Sequence, residues 1–267
     1  MLQKILNKIK AERITPDDAA VAPFFSQQQK VYSFCQKYIK NKRVLEIGSG
    51  SGYGTNRLAK LAKQITGIDK DKVSITDSQK NYQATNILFI QTSIEEFNPT
   101  QKFDTVLALQ VIEHLRDFKS FIKKAAHLLK KDGIIIISTP NGLTQSYNEN
   151  PYHFHEFTPN ELRDLLSKHF KTVFIHGVKG DEKIQAYEQA RQMQVLAFLS
   201  KDKWKIRRFI PRIVRQYLFD ISSFIRKKLT KRTQIKKKAF YSEKNFIITK
   251  ENLRNAIDLV ALCKGRR

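Results

Sequence analysis

The stretch Val44–Thr55, "VLEIGSGSGYGT", decides the fold. A short apolar run carrying a single acid, Glu46, leads straight into glycines at positions 48, 50, 52 and 54. A plain turn seldom uses so many. A chain that bends sharply beside a ligand pressed on its backbone does, because glycine tolerates left-handed conformations and leaves no side chain in the way.

Working outward, strand and helix patterns alternate. Arg43–Ile47, Gln64–Asp69, Ile87–Gln91, Phe103–Leu109, Gly133–Ser138, Lys171–His176 and Ala256–Cys263 read as strands. Thr55–Lys63, Lys72–Asn81 and Phe118–Lys130 read as helices between them, and Leu2–Arg13 and Ser26–Ile39 as helices ahead of them. Thr158 with Glu161 three residues on forms a capping box that starts a further helix. Strands alternating with helices give an α/β, Rossmann-like, mostly parallel seven-stranded sheet with helices on both faces. Ligands of such sheets lie beyond the carboxyl ends of the strands, where strand order reverses. Asp69 ends the second strand, where a carboxylate accepts hydrogen bonds from ribose hydroxyls. The dinucleotide fingerprint G-x-G-x-x-G is broken at Tyr53, and the glycines run G-x-G-x-G instead.

The chain of 267 residues carries a formal charge of +24, and 41% of its residues are hydrophobic, enough for a core. Two cysteines far apart offer neither a disulfide framework nor a zinc spacing, and they fit a reducing compartment. The N-terminal "MLQKILNKIK" lacks the apolar run of a signal peptide. The longest wholly aliphatic run is Ile134–Ile137, too short to span a bilayer. A cytoplasmic protein follows, with peripheral attachment to the inner face of the membrane as a further expectation. The charge points to polyanions, or else reflects lysine-rich composition throughout.

Four segments are expected. Residues 1–40 are N-terminal helices, 41–178 the core, 179–245 a basic helical insertion, and 246–267 a C-terminal strand completing the sheet. From Lys201 to Lys238 there are 15 Lys or Arg against the two acids Asp202 and Asp220. Apolar residues recur at helical spacing over Phe209–Leu229, with arginine and lysine around them. A basic amphipathic helix suits an anionic membrane surface. The competing reading lays its apolar stripe on the protein's own sheet or on a second subunit. Nucleic acid is the weaker partner, since no RNA-binding module or aromatic stacking platform is attached.

The G-x-G-x-G spacing, with an acid two residues before it, resembles the first motif of class I S-adenosylmethionine-dependent methyltransferases. "FDTVLALQVIEHL" (Phe103–Leu115) resembles that family's fourth-strand motif, and "LLKKDGIIIISTPN" (Leu128–Asn141) its fifth-strand segment. "NPYHFHEFTPNELRDLL" (Asn150–Leu166) resembles the region that follows in small-molecule methyltransferases, including ubiquinone-biosynthesis O-methyltransferases. The resemblance implies S-adenosyl-L-methionine as cofactor. Gly48, Ser49, Gly50 and Gly52 would line its methionine end, with Glu46 at its amino group. Asp69 would hold the ribose, and Lys70, Ser93 and Ile94 would border the adenine. Leu109 and Gln110 would approach the sulfonium.

The implied reaction is methyl transfer to a small molecule, a sugar or glycan, or a lipid-linked acceptor. An RNA methyltransferase and a non-catalytic adaptor at a membrane are the alternatives. For a hydroxyl acceptor the protein must supply a base, and His114, His153, His155 and Glu156 are the candidates. His153 and His155 alternate, so an extended segment would turn both to one side over the acceptor pocket. Some ubiquinone-pathway relatives hold magnesium through an acid, two residues, then Glu-His. Glu113 and His114 match that pattern, but Gln110 stands where the first acid belongs, so no metal is expected. The Asn/Asp-Pro-Pro-aromatic signature of amide and base nitrogen methylation is missing from "LALQVIEH", which favours oxygen as acceptor. Oligomeric state is left open.

Overall fold

The computed structural model describes residues 22–145, 150–200, 209–222 and 241–267. The expected helix at Leu2–Arg13 and the 223–229 end of the expected basic helix lie outside them. One eight-stranded sheet organises the described chain, in the order β3-β2-β1-β4-β5-β8-β6-β7. Its strands are β1 (Arg43–Ile47), β2 (Gln64–Asp69), β3 (Ile87–Gln91), β4 (Phe103–Leu109), β5 (Leu129–Pro140), β6 (Phe170–Gly180), β7 (Phe246–Thr249) and β8 (Asp258–Arg266). The first five pair in parallel. β8 inserts antiparallel between β5 and β6. The sheet has one strand more than expected: Phe246–Thr249 pairs antiparallel with the outer edge of β6.

Among the described residues, eight α-helices surround the sheet: α1 (Ala22–Cys35), α2 (Tyr53–Ala59), α3 (Lys72–Asn81), α4 (Phe118–Leu128), α5 (Gly142–Gln145), α6 (Pro159–Ser167), α7 (Glu182–Ser200) and α8 (212–222). The basic insertion thus separates β6 from β7 and contains α7 and α8, and two strands follow it rather than one. The predicted capping box opens α6: Thr158 Oγ1 accepts the Glu161 N–H, and Glu161 Oε2 accepts the Thr158 N–H.

Strand alternation divides the core in two. Leu45, Ile47, Val106, Ile135 and Ile137 face α4 and α6. Val44, Leu107 and Ile136 face the layer containing α1 and α2. Over most of their length the central strands are buried on both faces, so β1, β4 and β5 carry aliphatic stretches at Val44–Leu45, Val106–Leu109 and Ile134–Ile137, with Glu46 and Thr105 as buried polar exceptions. The sheet order reverses between β1 and β4, and the glycine loop leaves β1 at that crevice.

Candidate active site

The loop after β1 holds three glycines in the left-handed region: Gly48 at φ 73°, Gly50 at 51° and Gly52 at 75°. Their roles differ. A Cβ on Gly50 would meet nothing within 4 Å, so this residue presents bare backbone to open space. A Cβ on Gly52 would strike Ser78 and Phe89, and one on Gly54 would enter the Tyr32 ring. Gly50 thus has the open face that the expected close approach of a ligand needs, while a Cβ on Gly48 would strike Val111. Gly52 and Gly54 instead let α3, β3 and α1 pack tightly around the loop. Ser49 is buried with its side chain toward Gly67, and its hydroxyl has no protein partner.

Asp69 closes the loop from the end of β2. Its Oδ2 accepts the Gly50 N–H at 2.9 Å and its Oδ1 the Asp71 N–H at 2.8 Å. A carboxylate has about four lone-pair sites, so capacity for ribose hydroxyls remains. Glu46 lies beneath, 1% exposed. Tyr32 Oη donates to its Oε1 at 2.7 Å, and Thr55 Oγ1 donates to Oε2. Burial pushes its carboxyl up to about 7, against the pull of those two hydroxyls. An ammonium group brought beside it would favour its ionised form. The bare Gly50 backbone, the loop-bound carboxylate and this buried acid together fit the adenosine and amino-acid portions of S-adenosylmethionine.

The other expected contacts divide. Lys70 is exposed beside Asp69. Ile94 is buried in the core, and the Ser93 hydroxyl accepts the Glu96 N–H at 3.3 Å, capping its own turn. Leu109 packs against the α1 side of the core. Gln110 has a left-handed backbone, φ 57°, and its amide donates to Asp258 Oδ2 at 3.0 Å. Gln27 of α1 donates to the same oxygen. Asp258 begins β8 opposite Pro140 of β5, and it was not recognised in the sequence. Its signal was present: like Glu46, it is a lone acid in an apolar run.

Burial raises the Asp258 carboxyl to about 7, well above the ordinary carboxylate value near 4. The native state therefore holds that proton more tightly than the unfolded chain. Its contribution to stability is complete below about pH 4 and is lost as pH rises through about 7. Asp258→Asn keeps an acceptor for both amides and removes the titration. Relative to wild type it should gain on the order of 2–4 kcal/mol of stability between pH 4 and pH 8. Chemical denaturation at the two pH values tests this, and an unchanged difference would show that Asp258 is not a strained acid.

The histidines do not form the arrangement expected of an extended segment. Asn150 Oδ1 accepts the Tyr152 N–H at 3.0 Å, and Asn150 O accepts the His153 N–H at 3.1 Å, so the chain turns. His153 consequently meets His114, ring centroids 5.0 Å apart. His155 departs from them and packs on Phe118 and Phe157. Nδ1 of His153 lies 2.9 Å from Glu156 Oε1, and Nε2 lies 2.9 Å from Asn150 Nδ2. These partners set the tautomer: Nδ1–H donates to the carboxylate, and Nε2 carries the lone pair. Burial and the neighbouring His153 push His114 down to about 4. Glu113, wholly buried, accepts from Thr139 at 3.0 Å. Ligand atoms of Glu113, His114 and His153 come within 4.8 Å of one another. Gln110 does not join them. Its side chain reaches Ser138 and Asp258, on the face of β5 opposite Thr139.

Comparison with known proteins agrees with this geometry. The family model described as "Methyltransferase domain" matches residues 39–198. The chain belongs to that family, in its class I, S-adenosylmethionine-dependent form. It is 32% identical over 163 residues to a probable S-adenosylmethionine-dependent methyltransferase of Mycobacterium tuberculosis, covering 59% of each chain. It is 32% identical over 124 residues to the ubiquinone biosynthesis O-methyltransferase of Bradyrhizobium diazoefficiens, covering 42% of this chain and 49% of that one. The chain thus spans about half to three fifths of the length of these relatives. Among solved structures, a Thermotoga maritima methyltransferase described as a possible histamine N-methyltransferase superposes with a TM-score of 0.57 at 16% identity. That match covers 92% of this chain and 91% of the other, and it establishes the shared fold.

Proposed function

We propose that the protein transfers the methyl group of S-adenosylmethionine to a hydroxyl of a small-molecule, glycan or lipid-linked acceptor. The observation that carries the choice of hydroxyl is the His153–Glu156 pair, together with the O-methyltransferase relatives. S-adenosylmethionine supplies an electrophilic methyl on a sulfonium that leaves as a neutral thioether. The chain must then align the acceptor and take its proton. His153 Nε2 takes the proton when the acceptor hydroxyl displaces the Asn150 amide that donates to it, and Glu156 steadies the imidazolium that results. His114, held near 4, is too weak a base for this and serves as the wall against which His153 is set. His155 shapes the segment from outside.

Transfer of labelled methyl from S-adenosylmethionine into fractionated cell material tests the proposal. Label in a small-molecule, polysaccharide or lipid fraction, released by chemistry specific to methyl ethers or esters, supports it. Label in RNA supports the RNA alternative, and cofactor binding with no transfer supports the adaptor.

A peripheral site on the inner membrane face is the second part of the proposal. Among the described residues no helix is long and apolar enough to cross a membrane. The apolar side of α8 is open to solvent rather than laid on the sheet: Ile213 is 61% exposed, and Val214, Tyr217, Leu218 and Ile221 are exposed with it. Sedimentation with vesicles containing anionic lipid should occur and weaken as salt is raised. Ile213→Asp with Ile221→Asp should abolish it while the protein stays folded and binds S-adenosylhomocysteine. Vesicle binding that survives the double substitution would remove α8 from the contact.

A further inference from the structure

Helix α8 is mounted the wrong way round for a helix packed on a core. Its polar side faces the protein. Arg212 donates from Nε to Pro151 O at 2.8 Å and from its terminal nitrogen to His153 O at 3.0 Å. The same guanidinium lies 3.5 Å from the centre of the Phe154 ring. Gln216 donates to Pro151 O at 3.1 Å, and Tyr152 Oη donates to Asp220. Every one of these bonds grips the turn that carries His153. The opposite side of the helix presents Ile213, Val214, Tyr217, Leu218 and Ile221, with Phe209 just ahead of it 84% exposed. Positions i, i+1, i+4, i+5 and i+8 make one continuous stripe.

A contiguous apolar stripe facing outward marks an interaction surface. Charge selects its occupant. Between residues 201 and 238 there are 15 cationic residues and two acids, and most of the cations lie on either side of the stripe in sequence. Two copies meeting face to face would bring like charges together. An anionic bilayer offers the opposite sign and an apolar layer for the stripe.

We propose that α8 is a strap through which contact with an anionic bilayer steadies the His153-bearing turn over the acceptor site. This rests on the membrane part of the proposed function and extends it to regulation. A helix seated in the headgroup layer is fixed in place, and Arg212 and Gln216 pass that constraint to the backbone of Pro151 and His153. The coupling is reciprocal: lipid steadies the turn by the same factor by which the grip strengthens lipid binding. An acceptor embedded in lipid would then meet an ordered base only where acceptor is present.

The test is amide hydrogen exchange on the full chain, read at His153 and Phe154, whose N–H groups donate to Asn150 O and Glu113 O. Vesicles of phosphatidylcholine with phosphatidylglycerol should slow exchange there about 5- to 150-fold, the usual range of coupling between sites. Pure phosphatidylcholine vesicles should not. Arg212→Lys keeps the charge but loses the two-pronged grip and the stacking on Phe154. It should still sediment with anionic vesicles while the slowing at His153 and Phe154 is lost. Tyr152→Phe, which removes the bond to Asp220 and keeps the ring, should lose part of it. Wild type that sediments with unchanged exchange, or Arg212→Lys that keeps the full slowing, overturns the strap and leaves the membrane reading standing. Wild type that ignores anionic vesicles overturns both. Slowing that follows protein concentration without lipid, with a dimer mass, assigns the face to a second copy and overturns the strap as well.

Discussion

His153→Ala is expected to lower methyl transfer by about 10²- to 10⁴-fold, the usual worth of a positioned general base. Affinity for S-adenosylhomocysteine should be unchanged, because the proposed role of the histidine is toward the acceptor. The expectation rests on one geometry: Nδ1 bound to Glu156 at 2.9 Å makes Nε2 the basic nitrogen, and the acceptor must displace the Asn150 amide from it. Glu156→Gln removes the charge that stabilises imidazolium, so it should cost a smaller part of the same loss. His155→Ala should cost little, since that ring packs on Phe118 and Phe157 rather than beside His153. The assay is the rate of label transfer into whichever cell fraction wild type labels. Full rate in His153→Ala would mean that the acceptor arrives already ionised, or is an amine that needs no base.

Asp69→Ala is expected to weaken S-adenosylhomocysteine binding by roughly 1.5–3 kcal/mol, the scale of hydrogen bonds to a charged group. Two losses combine. The ribose hydroxyls lose their acceptor, and Gly50 and Asp71 lose the carboxylate that fixes their N–H groups. Asp69→Asn keeps one acceptor oxygen and should fall between. Calorimetry on the three proteins measures this, and equal affinities would remove Asp69 from the cofactor site.

The parallel half of the sheet was legible because its central strands, β1 and β4, are buried on both faces over most of their length. Such strands have few polar positions to blur them, and Glu46 stood out within β1 for that reason. The edge strand β7 was missed. Four residues, Phe246–Thr249, follow a long basic segment, and only pairing with β6 makes them a strand. Helix α7 falls inside the expected helical insertion, but no bounds were drawn for it because its apolar residues do not gather on one stripe: Ile184 is buried, whereas Met193 and Leu196 are exposed.

In the site, residue types were easier to read than directions. The glycines were recognised, but Gly52 and Gly54 answer to Ser78, Phe89 and Tyr32, all distant in sequence or brought close by packing. The alternation of His153 and His155 suggested one face, and the Asn150 turn defeated it. The apolar periodicity of α8 was correct over 212–222, yet periodicity carries no sign. Which side faces the protein was decided by Arg212, whose hydrogen bonds lie around 60 residues away in the chain.

The central claim is that the Gly48–Gly52 loop and Asp69 form an S-adenosylmethionine site. A calorimetric titration of the wild-type chain tests it most directly, with S-adenosylhomocysteine, S-adenosylmethionine and NAD as separate ligands. The expected result is one site for each of the first two, and much weaker binding of NAD, because Tyr53 stands where a dinucleotide site has its third glycine. No heat with either sulfur ligand, or NAD binding as tightly as they do, would contradict the account.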